Sequence, residues 1–253
     1  MDARLILSLL LWASSAAAAF DHAHPTWDAL LKKHVVLLDG GKASRLQYGG
    51  VAAERGALRA YLDALSRVTE PEFGRWTREQ QMAFLVNAYN AYTVEKILMR
   101  YPEIRSIWDF GKFFGNPFRD RFFTLLGGPK SLDDVEHGIL RKKYREPRIH
   151  YAVNCASVSC PMLREQAYVA AQLEQQLEQQ AQRFLSDRSR NRFRDGRLEV
   201  SKIFDWFKVD FEPRDKYFMR YAGILGIPAG VSPPLAFLDY DWSLNDSRSS
   251  SPR

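Results

Sequence analysis

A chain of 253 residues, 46% of them hydrophobic and with a net charge of +6, can bury a sizeable core, which excludes a largely disordered protein. The positive balance is compatible with an anionic partner, but arginine spread over a solvated surface is the plainer reading. The sequence has no phosphate-cradling glycine loop, no dinucleotide fingerprint and no G-x-S-x-G elbow, which argues against kinase, dehydrogenase and α/β-hydrolase chemistry.

Residues 1–19 have the make-up of a signal peptide: Arg4, an apolar run from Leu5 to Ala13, and small residues from Ser14 to Ala19. The run is too short to span a bilayer, and no later segment is long and apolar enough. The expectation is a periplasmic or secreted protein with no transmembrane segment after signal removal. Residues 20–74 read as an N-terminal helical segment packed on the core. Trp27, Leu30, Leu31, Val35 and Leu38 keep helical spacing over 26–38, broken by Asp39-Gly40-Gly41. Leu58, Tyr61, Leu62 and Leu65 mark a helix over 54–67, stopped by Glu70-Pro71.

The core domain is expected over 75–245. Its central helix runs from about 78 to 99, opened by Thr77 with Gln80 in a capping box. This helix is apolar almost all round and should be buried. Asn87 and Asn90 then lie out of water and need hydrogen-bond partners, either by tying down neighbouring loops or by binding a ligand. Residues 104–118 are aromatic-rich and irregular, and 122–126 form a short strand ending at Gly127-Gly128-Pro129. Ser131 caps a further helix with Asp133 and Asp134 in its first turn. On it Leu132, Val135 and Ile139 face the core, with Glu136 at the edge of that face and His137 one step round. A carboxylate there needs a cation or donors. His137, His150 and Arg141 are the basic candidates nearby.

From Arg148 to Val153 a strand-like apolar run leads into Cys155 and Cys160, the two cysteines of the chain. A strand followed by a turn of small residues is where a scaffold presents a reactive side chain. Leu173, Leu177, Ala181 and Phe184 mark an amphipathic helix, and Asp195-Gly196 a hairpin turn. The arginines at 188, 190, 192, 194 and 197 lack interleaved stacking aromatics beyond Phe193, so no nucleic-acid site is expected. A helix over 216–225, a strand over 235–240 and a Ser/Arg tail, disordered over 246–253, complete the chain. The fold class that follows is α+β: one compact mixed domain with a central buried helix, several amphipathic helices and a small, mostly antiparallel sheet.

Four islands together resemble the domain-of-unknown-function family 547: Phe84–Ala91, Ser131–Arg141, Cys155–Pro161 and Tyr240–Asn245. The resemblance covers roughly 75–245 and implies a compact mixed α and β domain, often exported in bacteria, with no settled activity. The chain departs from the pattern at Val153-Asn154, where a more apolar pair is expected, and at Met162, where a second proline is common.

Three functions fit these residues. The first is a cysteine-dependent hydrolase or acyl or amide transferase without cofactor or metal, acting on a small molecule or peptide. Cys155 is its nucleophile and His137 or His150 the base, with Glu136 or an asparagine orienting that base. Its thiolate is favoured at a helix start, and the backbone N–H groups of Ala156-Ser157 form the oxyanion hole. Asn87, Asn90, Arg141 and Cys160 are the candidate binding positions. The second is a non-enzymatic binding or interaction domain with a Cys155–Cys160 disulfide, since two cysteines in an oxidising compartment usually pair. The third is a metal site of Cys155, Cys160 and His150, whose spacing lacks the tight Cys-x2-Cys pair of persuasive zinc motifs. Oligomeric state is left open by the sequence.

Overall fold

The computed structural model describes residues 19–111 and 115–248, so the signal peptide expected over 1–19 lies, but for Ala19, outside the described residues, as does the end of the expected tail. The fold has 53% helix and 12% strand, the helix-rich α+β class expected. Its helices are α1 (Pro25–His34), α2 (Arg55–Arg67), α3 (Arg78–Leu98), α4 (Leu173–Ser186) and several shorter turns. The small sheet component is three separate sheets. Strands β1 (Val35–Leu38) and β2 (Ala43–Leu46) make one antiparallel hairpin, and β3 (Phe123–Leu125) and β4 (Gly128–Lys130) another. The third sheet joins β5 (Arg192–Arg194) and β6 (Arg197–Val200) antiparallel, with β7 (Leu235–Phe237) added in parallel to β6.

Helix α3 is the centre of the molecule. Thr77 Oγ1 accepts from Gln80 N–H while the Gln80 side chain accepts from Thr77 N–H, closing the capping box read from the sequence. Every residue from Gln81 to Leu98 is buried. The larger hydrophobic core wraps this helix with α1, α2 and the chain from Leu125 to Leu177. A smaller core gathers Phe184, Leu198, Phe204, Phe211 and Phe218 around Tyr151. The candidate site lies where the two cores meet.

Local chemistry explains where the fold departs from the periodicity. The helix expected over 26–38 ends at His34, and Val35–Leu38 is a strand. Val35-Val36 favours extended backbone. Asp39, Gly40 and Gly41 take positive φ values of 52°, 66° and 85°, which turn the strand back on itself. Pro71 opens the short helix Glu70–Gly74 behind a Thr69 cap instead of only stopping α2. The run before Cys155 is a 3-10 helix, Pro147–Tyr151, started by Pro147 and by the Glu146 side chain accepting from Arg148 N–H. Cys155 is thus approached from a helical turn, and hydrogen-bonded loops follow it where a helix start was expected. The start of the expected tail is fixed: Asn245 and Asp246 are buried, and Leu46 and Asn245 share a backbone hydrogen bond.

Candidate active site

Asn90 sets the position of the cysteine turn. Its Nδ2 donates to Ala152 O at 2.9 Å and its Oδ1 accepts from Asn154 N–H at 2.8 Å. Asn87, one helical step away, makes the same two-sided clamp on Tyr168, at 2.7 and 3.0 Å. Both amides are spent on backbone, so these two residues position loops and present no group to a ligand.

Beyond Asn90 the chain makes a strained turn. Ala156 has φ of 62°, a left-handed conformation that costs a non-glycine residue ~1–2 kcal/mol. It is held there by Asn154, whose Oδ1 accepts from Ala156 N–H at 3.0 Å and whose Nδ2 donates to Pro161 O at 2.8 Å. Asn154, one of the departures from the family pattern, is therefore the staple of this turn. The far side is stitched to the C-terminal segment: Val158 N–H donates to Ser243 O and Asn245 N–H to Ala156 O.

The turn presents Cys155, half-buried, at the wall of a cavity of about 500 Å³. Cys155 Sγ lies 3.2 Å from both Ser157 Oγ and Tyr240 Oη, and those two oxygens are 3.2 Å from each other. The backbone N–H of Cys155 donates to Cys160 Sγ at 2.9 Å. Burial pushes the Cys155 thiol up, but hydrogen bonds from Cys160, Ser157 and Tyr240 outweigh it and hold the thiol below its ordinary value. Cys160, buried beside it, is pushed the other way, so Cys155 is the sulfur of the pair that gives up its proton more readily. Both are free thiols, and the disulfide of the alternative, binding-domain reading is not formed. Cys160 Sγ instead takes the neighbouring amide proton. The expected oxyanion hole is also not open at rest: Ala156 N–H is taken by Asn154, and Ser157 N–H serves the sulfur.

The opposite wall carries alternating charges. Glu136 and His137 sit on Asp134–Leu140, a π-helical stretch behind the reciprocal Ser131–Asp134 cap, both of whose hydrogen bonds are 3.0 Å. His150 is buried and stacks on Phe207 with ring centres 4.1 Å apart. Its Nε2 bonds Asp210 Oδ2 at 2.7 Å, while Nδ1 faces Glu136 Oε1 at 3.6 Å, an ion-pair distance. Arg141 grips Asp210 from the other side through Nε and Nη2. Burial opposes charge on His150, yet Asp210 and Glu136 outweigh it and raise its pKa. Burial likewise opposes the Glu136 carboxylate, but His150, His137 and the Tyr89 hydroxyl keep it below the usual glutamate value. Asp210 is held low against its own desolvation by His150 and Arg141. Along this wall the neighbours thus favour the charged forms of Glu136, His150 and Asp210, with Arg141 at the end.

Of the residues singled out in the sequence, Cys155, Cys160, Glu136, His137 and His150 all line one cavity. Arg141 stands behind it, holding Asp210 and, through Nη1, His137 Nδ1 at 2.6 Å. Glu136 does not orient a histidine against Cys155, because His150 is oriented by Asp210. Neither nitrogen of His150 bonds to the sulfur. Among the described residues no group of three His, Cys, Asp or Glu side chains is placed to hold a metal ion. Sequence reasoning missed Asp210 and gave Tyr240 and Ser157 no side-chain role. Tyr240 carried a signal, standing at the head of the fourth island; Asp210 carried none.

The geometry defines an α+β domain with a thiolate-stabilising pocket. Residues 73–185 match the family model described as "Protein of unknown function, DUF547", so this stretch is a DUF547 domain. The match begins near the expected boundary but stops short of Tyr240. No curated protein and no solved structure matches the chain.

Proposed function

We propose that this is an exported cysteine-dependent hydrolase or acyl or amide transferase with Cys155 as nucleophile. The observation that carries the reading is the convergence of Ser157 Oγ and Tyr240 Oη on Cys155 Sγ, both at 3.2 Å, at a strained turn in a cavity wall. Donors aimed at a sulfur favour thiolate, the reactive form. The thiol here is activated by hydrogen bonds, without an imidazole in contact. Thiolate attack on a carbonyl forms the C–S bond and places negative charge on oxygen. Ser157 and Tyr240, released from the sulfur as it loses its charge, become free to donate to that oxygen. The His150–Glu136 pair holds the proton that the leaving group needs. Export rests on the make-up of residues 1–19.

The test is acylation by p-nitrophenyl acetate, followed by intact mass and peptide mapping. The expected result is a burst of nitrophenolate with the acetyl group on Cys155, and no burst in Cys155→Ser. A folded Cys155→Ser protein that releases nitrophenolate as fast as the parent sinks the proposal.

A further inference from the structure

The walls of this cavity also carry information about what enters it. One side is a continuous aromatic run: Trp108 meets Trp242 at 5.4 Å, Trp242 meets Trp206 at 5.7 Å, and Trp206 meets Tyr240 at 4.8 Å. The run starts at the mouth, where Trp108 and Trp206 are 38% and 43% exposed, and ends at Tyr240 on the sulfur. The same cavity is lined by the carboxylates of Glu136 and Asp133. The chain has 36 lysines and arginines, yet none is among the described residues lining this cavity. Behind the lining, Asp210 bonds His150 Nε2 and is itself gripped by Arg141, and His137 stands beside Asp133 at 3.6 Å. Glu136 and Asp133 are thus cavity-lining carboxylates with no described lysine or arginine beside them in the lining. Aromatic faces opposite a carboxylate attract a cation through the ring quadrupole and Coulomb's law together, most strongly where water is thinned. An anionic acyl group would meet the opposite field.

Building on the assignment of Cys155 as nucleophile, we infer that the pocket takes a substrate carrying a positive charge, an ammonium, quaternary ammonium or guanidinium group, seated against Trp206 and Trp242 with Glu136 as counter-ion. Asp133, nearer the surface, draws the cation in. The aromatic run then guides it toward the sulfur, placing the acyl carbon near Cys155 while the charge rests on the opposite wall.

The test uses three alkylating probes on the reduced full-length protein at pH 6. They are iodoacetamide, iodoacetate, and an iodoacetamide whose amide carries a trimethylammonioethyl group. Rates at Cys155, read by intact mass and peptide mapping, are divided by each probe's rate with mercaptoethanol. The cationic probe is expected to be favoured over the anionic one by about tenfold or more, equivalent to ~1.4 kcal/mol. Glu136→Gln is expected to shrink that ratio by about threefold or more, with Asp133→Asn shrinking it less. Equal normalised rates, or preference for iodoacetate, overturn the inference while leaving the nucleophile in place. A ratio untouched by both substitutions overturns the assignment of the carboxylates. If no probe labels Cys155 faster than mercaptoethanol, both the inference and the reading beneath it fall.

Discussion

Asn90→Ala isolates the device that fixes the turn carrying Cys155, the proposed nucleophile. Asn90 is 2% exposed, and its two hydrogen bonds, at 2.9 and 2.8 Å, satisfy Ala152 O and Asn154 N–H. Removing the amide orphans both backbone groups in the core, and an orphaned buried group costs ~1–3 kcal/mol. The expected loss is therefore ~2–6 kcal/mol from a domain whose whole stability is ~5–15 kcal/mol. Urea unfolding with an unchanged m-value measures it. Asn87→Ala is the control, since Asn87 makes the same clamp on Tyr168 and should lose a similar amount. The two should part in function: Asn90→Ala slows Cys155 alkylation at pH 6, because Asn154 and the strained Ala156 follow directly on the clamp, and Asn87→Ala leaves it unchanged. A loss under ~1 kcal/mol at Asn90 would mean that Ala152 and Asn154 find other partners, and the reasoning fails. Equal alkylation rates in the two variants would refute the positioning role alone.

Tyr240→Phe removes one donor from the Cys155 sulfur and should lower its alkylation rate at pH 6 by about two- to tenfold, the range of a single hydrogen bond; an unchanged rate would remove Tyr240 from thiolate stabilisation. The Glu136–His150–Asp210 array predicts a pH window for stability. The raised His150 pKa contributes fully below about 6.5 and is lost as pH rises through the folded value. The lowered Asp210 and Glu136 pKa values contribute above about 4.3 and are lost as pH falls through their folded values. Asp210→Asn should flatten both limbs of a stability–pH profile measured by urea unfolding, and a profile of unchanged shape would contradict the array. Gly50→Ala would set a Cβ 2.5 Å from His34 Nδ1, and should cost ~1–3 kcal/mol by forcing His34 out of its 2.8 Å contact with Glu54. A thermal melt unchanged from the parent would show that His34 gives way freely.

What the sequence disclosed follows the range of the forces involved. Helix α3 was legible to its cap, because Thr77, Gln80 and an all-round apolar surface are local signals. Burial of Glu136, Asn87 and Asn90 was also legible from position on a helical face, and so was the need of each for a partner. The partners were not all legible. Asp210 lies on a short 3-10 turn between Phe207 and Phe211, and nothing in its neighbourhood distinguishes it from a surface acid. Its importance comes from a contact spanning sixty positions, His150 to Asp210. The strand expected before Cys155 failed for a local reason that was present in the sequence: Pro147 with Glu146 opens a 3-10 turn, outweighing the β-branched run behind it. The tail at Asn245 looks like a polar end, yet Tyr48 Oη donates to Asn245 Oδ1 and Asn245 Nδ2 reaches Asn154 Oδ1.

These long contacts determine which part of the chain can act. The family match ends at 185, and the cysteine turn lies inside it. Much of what gives that turn its chemistry lies beyond. Tyr240 bonds the sulfur, Asp210 bonds His150, and Trp206, Phe207 and Trp242 line the same cavity. The turn itself is stitched at Ala156 and Val158 to Asn245 and Ser243, and through Asn245 to Leu46 in β2. A chain cut after the family match would keep Cys155 and lose its Tyr240 donor, the His150 counter-ion and the backbone bonds holding the turn. The thiol would then meet burial with fewer donors to offset it, and its pKa would move up toward that of an inert buried cysteine. The unit that sets the environment of Cys155 is therefore larger than the family match: the cysteine turn supplies the proposed nucleophile, and segments on both sides of the match surround and hold it.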